Sequence, residues 1–296
     1  GWALETSGAG HDRARIVFWA GSFELAGTQR FLLSLLRRMD RSAFDPVVFS
    51  TRPEGELLTE IEALGVPVHE YGTGTSLLSP ATVSGLWRAG RFLRRERVDV
   101  LCCMLGITTL FGPFVGRAAG VPVVLNSQRN VGYWLRGRFR KTVYGLVNRR
   151  LVDGVLVNSR AAAEELADRF GVQAGSIQEI PAGVDVASFE SVESDPALRS
   201  AFGFDGLEVV GTVGKLSRVK NHAFFLRAAA RVAAGRSDTA FLVVGDGPLR
   251  KELEELAGWL GIAGRVVFAG ERRDVPRLLK LMDVFVMPSI SEGLPN

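Results

Sequence analysis

The chain is poor in the side chains that most often build disulfides, metal sites and general-base sites. It has two cysteines, Cys102 and Cys103, and three histidines among 296 residues. Neighbouring residues of a strand point to opposite faces, so the two cysteines make a poor disulfide, and no metal-ligand spacing surrounds them. We expect both to be small buried residues of a protein in a reducing compartment, by default the cytoplasm.

The sequence also lacks a segment typical of a signal peptide or a membrane span. Residues 1–14 have no basic region followed by an apolar one, and we expect a loose tail there. The most apolar long uncharged stretch, 100–116, is shorter than the ~20 apolar residues of a spanning helix, and Gly106, Gly112 and Pro113 interrupt it. A buried strand, a glycine turn and a short helix explain this stretch better than a membrane span does.

Acidic residues are absent from 100–152, although the net charge of the whole chain is only +4. The basic residues of that segment are Arg117, Arg129, Arg136, Arg138, Arg140, Lys141, Arg149 and Arg150. Such a local block attracts phosphates or anionic lipid head groups.

Strands that alternate with helices make up most of the remaining pattern. Continuous apolar runs predict buried strands at 15–20, 46–50, 66–71, 98–103, 121–126 and 153–158. Apolar residues at helical spacing predict helices around 31–39, 54–64 and 86–97. This alternation indicates a parallel sheet with helices on both faces.

A break in the pattern around 180–196, where turn and acidic residues mix, marks the expected domain boundary. We place a first domain at 15–188, after the tail at 1–14, and a second domain at 189–296. Strands of the second domain are predicted at 208–214, 239–245, 266–270 and 283–289. One helix is predicted to be capped by Asn221, and two more to start at Pro248 and Val275. The predicted fold class is α/β, with two Rossmann-like doubly wound parallel sheets, the second of them incomplete.

Strand-to-helix turns are the candidate sites, because open parallel sheets bind ligands beyond the carboxyl ends of their strands. After the first strand, Gly27 lets backbone N–H groups approach an anion at a helix start. A tight turn explains that glycine equally well, and the dinucleotide fingerprint is absent. After the strand at 208–214, Lys215, Arg218 and Lys220 crowd one turn, which suits a diphosphate better than a solvated loop.

Two further turns follow later strands. The string GDGP at 245–248 is a weak signal and mostly structural. In SISEGLPN at 289–296, Glu292 stands between a strand and Gly-Leu-Pro, an unusual place for a surface charge. It could accept hydrogen bonds from sugar hydroxyls.

Taken in order, these turns resemble those of the retaining glycosyltransferases of family four (group 1), which have the GT-B fold. The matching strings are AGTQR (26–30), IPAGVD (180–185), GKLSRVKN (214–221), GDGP (245–248), VVFAG (266–270) and SEGLPN (291–296). The resemblance covers the chain from about Arg15 onward. It implies that a sugar passes from a nucleotide-diphosphate sugar, expected to be UDP-linked, to a glycan or lipid-linked acceptor in polysaccharide biosynthesis. The chain would then be truncated within the donor domain and could itself be inactive.

The resemblance also assigns roles. Lys220 matches the lysine that contacts the donor diphosphate, and Lys215 stands where an arginine is usual. Glu292 matches the first glutamate of a pair and would hold the transferred sugar, whereas the second glutamate would lie beyond Asn296. The candidate catalytic residues are Lys215, Lys220 and Glu292. The candidate donor-binding residues are Gly27, Thr28, Arg218, Gly245, Gly247, Gly270, Gly293 and Leu294.

No cofactor and no metal are expected, because no D-x-D-like pair is evident. Fixed cations and helix dipoles would stabilise the departing diphosphate instead. In the family, the leaving phosphate itself accepts the proton of the acceptor, and no general base stands out here. We interpret His222 as a helix-start residue rather than a catalyst.

Acceptor choice in this fold resides in the first domain, where Arg129 and Asn130 directly follow a strand end. The basic segment 127–150 and the helix around Trp87 are typical of a peripheral membrane surface at the inner face of the plasma membrane. They are equally typical of core-packing helices with an arginine-rich solvent face.

Two other functions remain as alternatives. A nucleotide-sugar epimerase of the GT-B fold would share the turns but would need acidic and histidine residues in its cleft. A nucleic-acid-binding module would use the basic stretch, but the aromatic platforms of such modules are missing, so no nucleic-acid partner is expected.

Overall fold

The computed structural model describes residues 13–24, 27–72, 79–104, 106–129, 138–181, 183–184, 186–292 and 294. These residues divide into two compact units. The first unit ends at Gly183 and also takes in Leu294, and the second is Val184–Glu292. The sequence predicts this division a few residues later, after residue 188.

The first unit is a parallel sheet of seven strands with helices between them. Its strands are β1 (Ala14–Ala20), β2 (Phe44–Ser50), β3 (Val68–Glu70), β4 (Val100–Met104), β5 (Val123–Gln128), β6 (Gly154–Val157) and β7 (Ile177–Glu179). Its helices are α1 (Gly27–Arg38), α2 (Leu58–Ala63), α3 (Pro80–Arg95), α4 (Thr108–Ala119), α5 (Arg138–Arg150) and α6 (Arg160–Phe170). The strand order is β3-β2-β1-β4-β5-β6-β7, so the sheet is doubly wound.

Strand β1 shows why continuous apolar runs become central strands. Val17 and Trp19 pack on one face of the sheet with Leu93 of α3. Phe18 and Ala20 pack on the other face with α1 and α2. Both faces are therefore buried, as the sequence predicts for a parallel sheet.

The second unit repeats the arrangement with four parallel strands. These are β8 (Glu208–Val213), β9 (Thr239–Val244), β10 (Val266–Gly270) and β11 (Val284–Phe285), in the order β10-β9-β8-β11. Its helices are α7 (Val186–Glu190), α8 (Pro196–Ala201), α9 (His222–Gly235), α10 (Arg250–Trp259) and α11 (Val275–Leu281). The predicted α/β class with two doubly wound parallel sheets is confirmed.

Several predicted boundaries are wrong. Helix α3 begins at Pro80 rather than near residue 86, because Ser79 Oγ accepts a hydrogen bond from the Thr82 N–H at 3.2 Å and caps the helix. Helix α10 begins at Arg250, two residues after Pro248. The strand predicted at 283–289 forms ladder pairs only at Val284 and Phe285.

The stretch 100–116 forms a buried strand, a turn and helix α4, as predicted. Both cysteines of β4 are free and buried, on opposite faces of the sheet. Burial raises the pKa of Cys102 to about 12, so this thiol stays protonated. Helix α4 approaches the strand so closely that a Cβ added to Gly112 would lie 2.2 Å from Cys103 Sγ.

We expect Gly112→Ala to lower the free energy of unfolding by about 1–3 kcal/mol, because the added methyl overpacks the contact with Cys103. A double variant that also carries Cys103→Ala should recover much of this loss, because it removes the sulfur. Urea unfolding of the four members of the cycle measures the coupling. If the losses in unfolding free energy of the two single variants simply add in the double variant, the contact between Gly112 and Cys103 does not limit how α4 packs.

Candidate functional site

The second sheet has its topological switch point between β8 and β11. From β8 the chain continues to β9 on one side, whereas β11 pairs with β8 on the other side. The turns that follow β8 and β11 therefore leave the sheet at neighbouring positions. Doubly wound sheets bind their ligands at such a point.

Lys220 and Glu292 meet at this switch point. The Lys220 Nζ donates a hydrogen bond to Glu292 Oε1 and forms an ion pair with it, across a separation of 72 residues in sequence. The two side chains are only 28% and 21% exposed. The Ile290 N–H also donates to the Val219 carbonyl at 2.8 Å, which ties the two turns together. Two of the three predicted catalytic residues thus lie in contact.

The other cations of the β8 turn are more exposed. Lys215 and Arg218 both face solvent, and Arg218 opens a short 3-10 turn, Arg218–Lys220, that leads into α9. The stem of Lys220 lies over Gly214, where an added Cβ would be 3.4 Å from Lys220 Cδ. The turn therefore presents two exposed cations beside Lys220, whose charge is paired with that of Glu292.

The glycines predicted to bind the donor shape the turn that carries the lysines. A Cβ on Gly245, whose φ is 130°, would lie 2.1 Å from the Gly214 carbonyl oxygen, and a Cβ on Gly247 would lie 2.6 Å from the Leu216 oxygen. The Leu216 N–H donates to the Asp246 carbonyl at 2.9 Å. Gly270 accepts from the Gly245 N–H at 2.8 Å. Their contact with a donor remains a prediction.

Helix α9 starts differently from the prediction that Asn221 caps it. Asn221 is at the N-cap, but its backbone is left-handed (φ 53°, ψ 40°) and its side chain makes no capping hydrogen bond. A capping side chain normally needs an extended backbone at that residue. His222 is the first residue of α9, as expected.

The imidazole of His222 is an uncharged group beside the lysine turn. It is 2% exposed, and neither ring nitrogen has a hydrogen-bond partner. Burial, and secondarily the charge of Lys220, lowers the pKa of His222 to about 4. The ring is therefore neutral at physiological pH.

The buried imidazole should make stability depend on pH. An unfolded histidine titrates near 6.5, so acid protonates the unfolded chain before the folded one, and stability falls as the pH drops from about 6.5 towards 4. We expect the wild type to lose about 2 kcal/mol more between pH 7 and pH 5 than a His222→Gln variant does. Denaturant unfolding at both pH values measures the difference. Equal losses of stability in the wild type and in the variant would mean that the imidazole is exposed to water in the folded protein.

The first unit has a cavity at its own switch point, between β1 and β4. Its volume is about 220 Å³, and α1 and α4 both begin at it. The lining residues are Ala20, Gly21, Ser22, Thr28, Gln29, Leu32, Thr51, Arg52, Met104, Gly106, Ile107 and Thr108. Of the predicted donor-binding residues in this unit, Thr28 lines the cavity and Gly27 is the first residue of α1. Sequence reasoning missed Gln29 and Thr108, although the turn glycine Gly106 marked the place.

The remaining predicted residues lie elsewhere. Arg129 directly follows β5 and stacks on the ring of Phe31, with the guanidinium carbon 3.7 Å from the ring centroid. The Leu294 carbonyl accepts from Asn158 Nδ2 at 3.1 Å within the first unit. Asn130 and Gly293 lie outside the described residues.

The helices predicted to form a basic surface have features of both interpretations, a peripheral membrane surface and a core-packing helix with a solvated basic face. On α3, Trp87 is 64% exposed and Arg91 lies over its ring at 5.7 Å. On α5, by contrast, Tyr144 and Val147 are buried in the core. No helix in the part of the chain that the structure describes is long and apolar enough to cross a membrane. Within that same part, no three histidine, cysteine or acidic residues come together as metal ligands.

The two doubly wound sheets place the protein in the GT-B class, and the comparisons with known proteins give its family. The model of the Glycosyl transferase 4-like domain matches residues 26–183, and the model of Glycosyl transferases group 1 matches residues 208–296. The chain therefore belongs to the group 1, family-four glycosyltransferases.

Known relatives agree with this membership. The chain is 33% identical to the putative glycosyltransferase EpsF of Bacillus subtilis, over 95% of this chain and 74% of that protein. It is 28% identical to the UDP-Gal:alpha-D-GlcNAc-diphosphoundecaprenol alpha-1,3-galactosyltransferase of Escherichia coli, over 69% of this chain and 55% of that one. The solved structure of Anabaena HepE in complex with UDP and glucose has the same fold, with a TM-score of 0.79 at 20% identity over 94% of this chain and 74% of that chain.

Proposed function

We propose that this chain binds a nucleoside diphosphate sugar, UDP-linked, and transfers the sugar to a glycan or lipid-linked acceptor with retention of configuration. The observation that carries the proposal is the Lys220–Glu292 pair at the switch point of the second sheet. A family glycosyltransferase needs a cation for the diphosphate and an acceptor of hydrogen bonds for the sugar hydroxyls. The pair supplies one of each in adjoining positions.

The donor diphosphate is assigned to the turn after β8. Lys220 is held by packing on Gly214, and Lys215 and Arg218 add positive charge from the same turn. The start of α9 contributes backbone N–H groups with the positive end of the helix dipole. Charge-assisted hydrogen bonds to phosphate are about twice as strong as hydrogen bonds between neutral groups, so this turn favours a diphosphate.

Glu292 is assigned to the transferred sugar. Its Oε1 accepts from Lys220 Nζ, and its second oxygen can accept from sugar hydroxyls. The ion pair fixes the carboxylate next to the diphosphate site without requiring a metal ion. The sugar would then lie beside the bond that breaks.

In the proposed reaction, the bond between the anomeric carbon and the diphosphate oxygen breaks, and that oxygen keeps the electron pair. Lys220 and the helix N-terminus stabilise the departing negative charge, which is the largest contribution such a site can make. The acceptor hydroxyl attacks from the side that the diphosphate leaves, and a phosphate oxygen takes its proton. Configuration is thereby retained, and His222, which is neutral and buried, has no role in the proton transfer.

Relatives support the finer assignments. HepE was solved with UDP, and the E. coli relative is named for a UDP-sugar donor and an acceptor linked to diphosphoundecaprenol. We therefore propose UDP as the nucleotide, a lipid-linked or glycan acceptor, and a place at the inner face of the plasma membrane in polysaccharide biosynthesis. Family membership favours transfer over epimerisation, and no observation favours nucleic-acid binding.

Replacement of Lys220 tests the donor site. We expect UDP to raise the melting temperature of the wild type, and Lys220→Met to weaken UDP binding at least tenfold, which is a loss of about 1.4 kcal/mol or more. Lys251→Met is the matched control, because that lysine is exposed on α10 and pairs only weakly, at 4.0 Å, with Glu255. Thermal-shift titrations measure both. A Lys220→Met chain that responds to UDP like the wild type would refute the assignment.

The Glu292→Gln variant tests whether Glu292 contributes to binding of the sugar rather than of the nucleotide. The variant should keep its response to UDP, since the amide leaves Lys220 free to bind phosphate. It should lose most of the extra affinity that the wild type shows for UDP-glucose over UDP, because a neutral amide accepts weaker hydrogen bonds than a carboxylate. Equal losses for both ligands would mean that Glu292 supports the turn and does not hold the sugar.

The proposed site needs no metal, so chelation should have no effect. We expect the UDP-induced shift in melting temperature to be the same in EDTA and in Mg²⁺. A shift that EDTA abolishes and Mg²⁺ restores would assign the diphosphate charge to a metal ion rather than to the lysine turn.

A further inference from the structure

The outward faces of α9 and α10 form one layer on the second unit. Both helices pack on the same face of the second sheet, through Phe225 and Leu226 of α9 and Leu253 and Ala257 of α10. They also contact each other. Each helix connects two neighbouring parallel strands, so both begin at the carboxyl edge of the sheet and run in the same direction. Their outward faces therefore make a continuous surface of two parallel helices.

This surface exposes large apolar side chains at both of its ends. Phe224, near the start of α9, is 60% exposed. At the other end, Trp259 of α10 is 82% exposed, and Val232 of α9 is 40% exposed. Aromatic side chains and arginine are the residues in which protein interfaces are enriched, and the same surface also carries two arginines. Its composition is therefore that of an interface.

The charges on the two helices are of opposite sign. Helix α9 has no acidic residue, and Arg227 and Arg231 on its outward face form no ion pair within the described part of the chain. The outward face of α10 carries Glu252 and Glu255. The Glu255 Oε1 lies 4.0 Å from Lys251 Nζ, which is a weak ion pair. One chain thus has a basic helix face beside an acidic one.

Twofold symmetry offers two ways to lay these helices along those of a second copy. An axis across the helices would set α9 antiparallel on α9 of the second copy, so that arginine would face arginine. An axis along the helices sets α9 on α10 of the second copy, with both running in the same direction. Only the second arrangement brings opposite charges together, and like charges that face each other across an interface are destabilising.

The positions of the residues along the two helices match in that arrangement. Arg227 and Glu255 are each the sixth residue of their helix, and Arg231 and Trp259 are each the tenth. Because both helices begin at the same edge of the sheet, the arginine at the sixth position faces a glutamate and the arginine at the tenth faces an indole. The first contact is an ion pair, and the second is a cation–π contact. Symmetry forms each of them twice.

A second copy fits this surface better than a lipid membrane does. An anionic membrane would attract the arginines of α9 but would repel the glutamates of α10. An aromatic side chain buries about 200 Å², so the exposed parts of Trp259 and Phe224 in two copies would bury about 500–600 Å². That is about half of the ~1,000 Å² that a specific interface buries, and the charged residues between the aromatic ones add to it.

We infer that this chain forms a twofold dimer through α9 and α10, in which Arg227 pairs with Glu255 of the second copy and Arg231 stacks on its Trp259. The inference goes beyond the proposed function and does not rest on it, because the surface contains none of the residues assigned to the donor. The lysine turn leads directly into α9. The dimer would therefore also hold the helix that follows each donor turn.

Charge reversal tests the pairing. Sedimentation velocity at a series of concentrations should show a reversible equilibrium between monomer and dimer for the wild type. Arg227→Glu and Glu255→Arg should each raise the dissociation constant of the dimer at least tenfold, because each sets like charges against each other in both symmetric contacts. Lys280→Glu is the control, since it makes the same change of charge on α11, which packs on the other face of the sheet. A wild type that stays monomeric at every concentration would overturn the inference.

Mixing the two variants distinguishes this interface from a loss of folding. An equal mixture of Arg227→Glu and Glu255→Arg chains should dimerise like the wild type, because one contact then pairs the two new charges and the other pairs the two native ones. The double variant should dimerise by itself, since both of its contacts are reversed together. Misfolded chains would not recover on mixing. If neither the mixture nor the double variant forms dimers, the inference is wrong.

The indole gives an independent test. Trp259→Ala should raise the dissociation constant at least tenfold, whereas Trp87→Ala, which removes an exposed indole from α3 of the first unit, should leave it unchanged. An equal effect of the two substitutions would contradict the assigned surface. If the dimer behaves as described while UDP fails to raise the melting temperature of the wild type, the proposed donor site fails and the interface stands.

Discussion

The close approach of two backbone turns is the constraint on which the site of the second unit depends. The turn after β8 lies so near the turn after β9 that Gly245 has no room for a side chain against the Gly214 carbonyl. Backbone hydrogen bonds hold them there, and Gly214 in turn leaves space for the stem of Lys220. The close packing of these uncharged glycines therefore determines the position of Lys220 and, through the ion pair, that of Glu292.

The two units hold their buried cations in opposite ways. In the second unit, Lys220 has a carboxylate partner, so the two charges balance each other. In the first unit, Arg129 has an aromatic face but an unpaired nitrogen. A buried nitrogen without a hydrogen-bond partner costs free energy, whereas the paired lysine avoids that cost.

Much of the fold could be predicted from local sequence, whereas the contacts of the site could not. Continuous apolar runs located β1 and β4, and turn residues located the candidate site at the carboxyl edge of each sheet. The meeting of Lys220 with Glu292 depends on the strand order, which places β11 beside β8, and no spacing rule encodes that order. The burial of Arg129 depends on Phe31, a residue of another helix. Short elements such as α7 (Val186–Glu190) lie in a segment that we interpreted as a boundary.

The placement of the two cysteines has a practical consequence. Both belong to β4 in the first unit, and the second unit has none. Because Cys103 is covered by α4 at Gly112, a thiol reagent can reach it only when that helix leaves the sheet. The labelling rate in dilute denaturant therefore reports the opening of one half of the molecule alone. Compared with a global spectroscopic signal, it would reveal whether the halves unfold together.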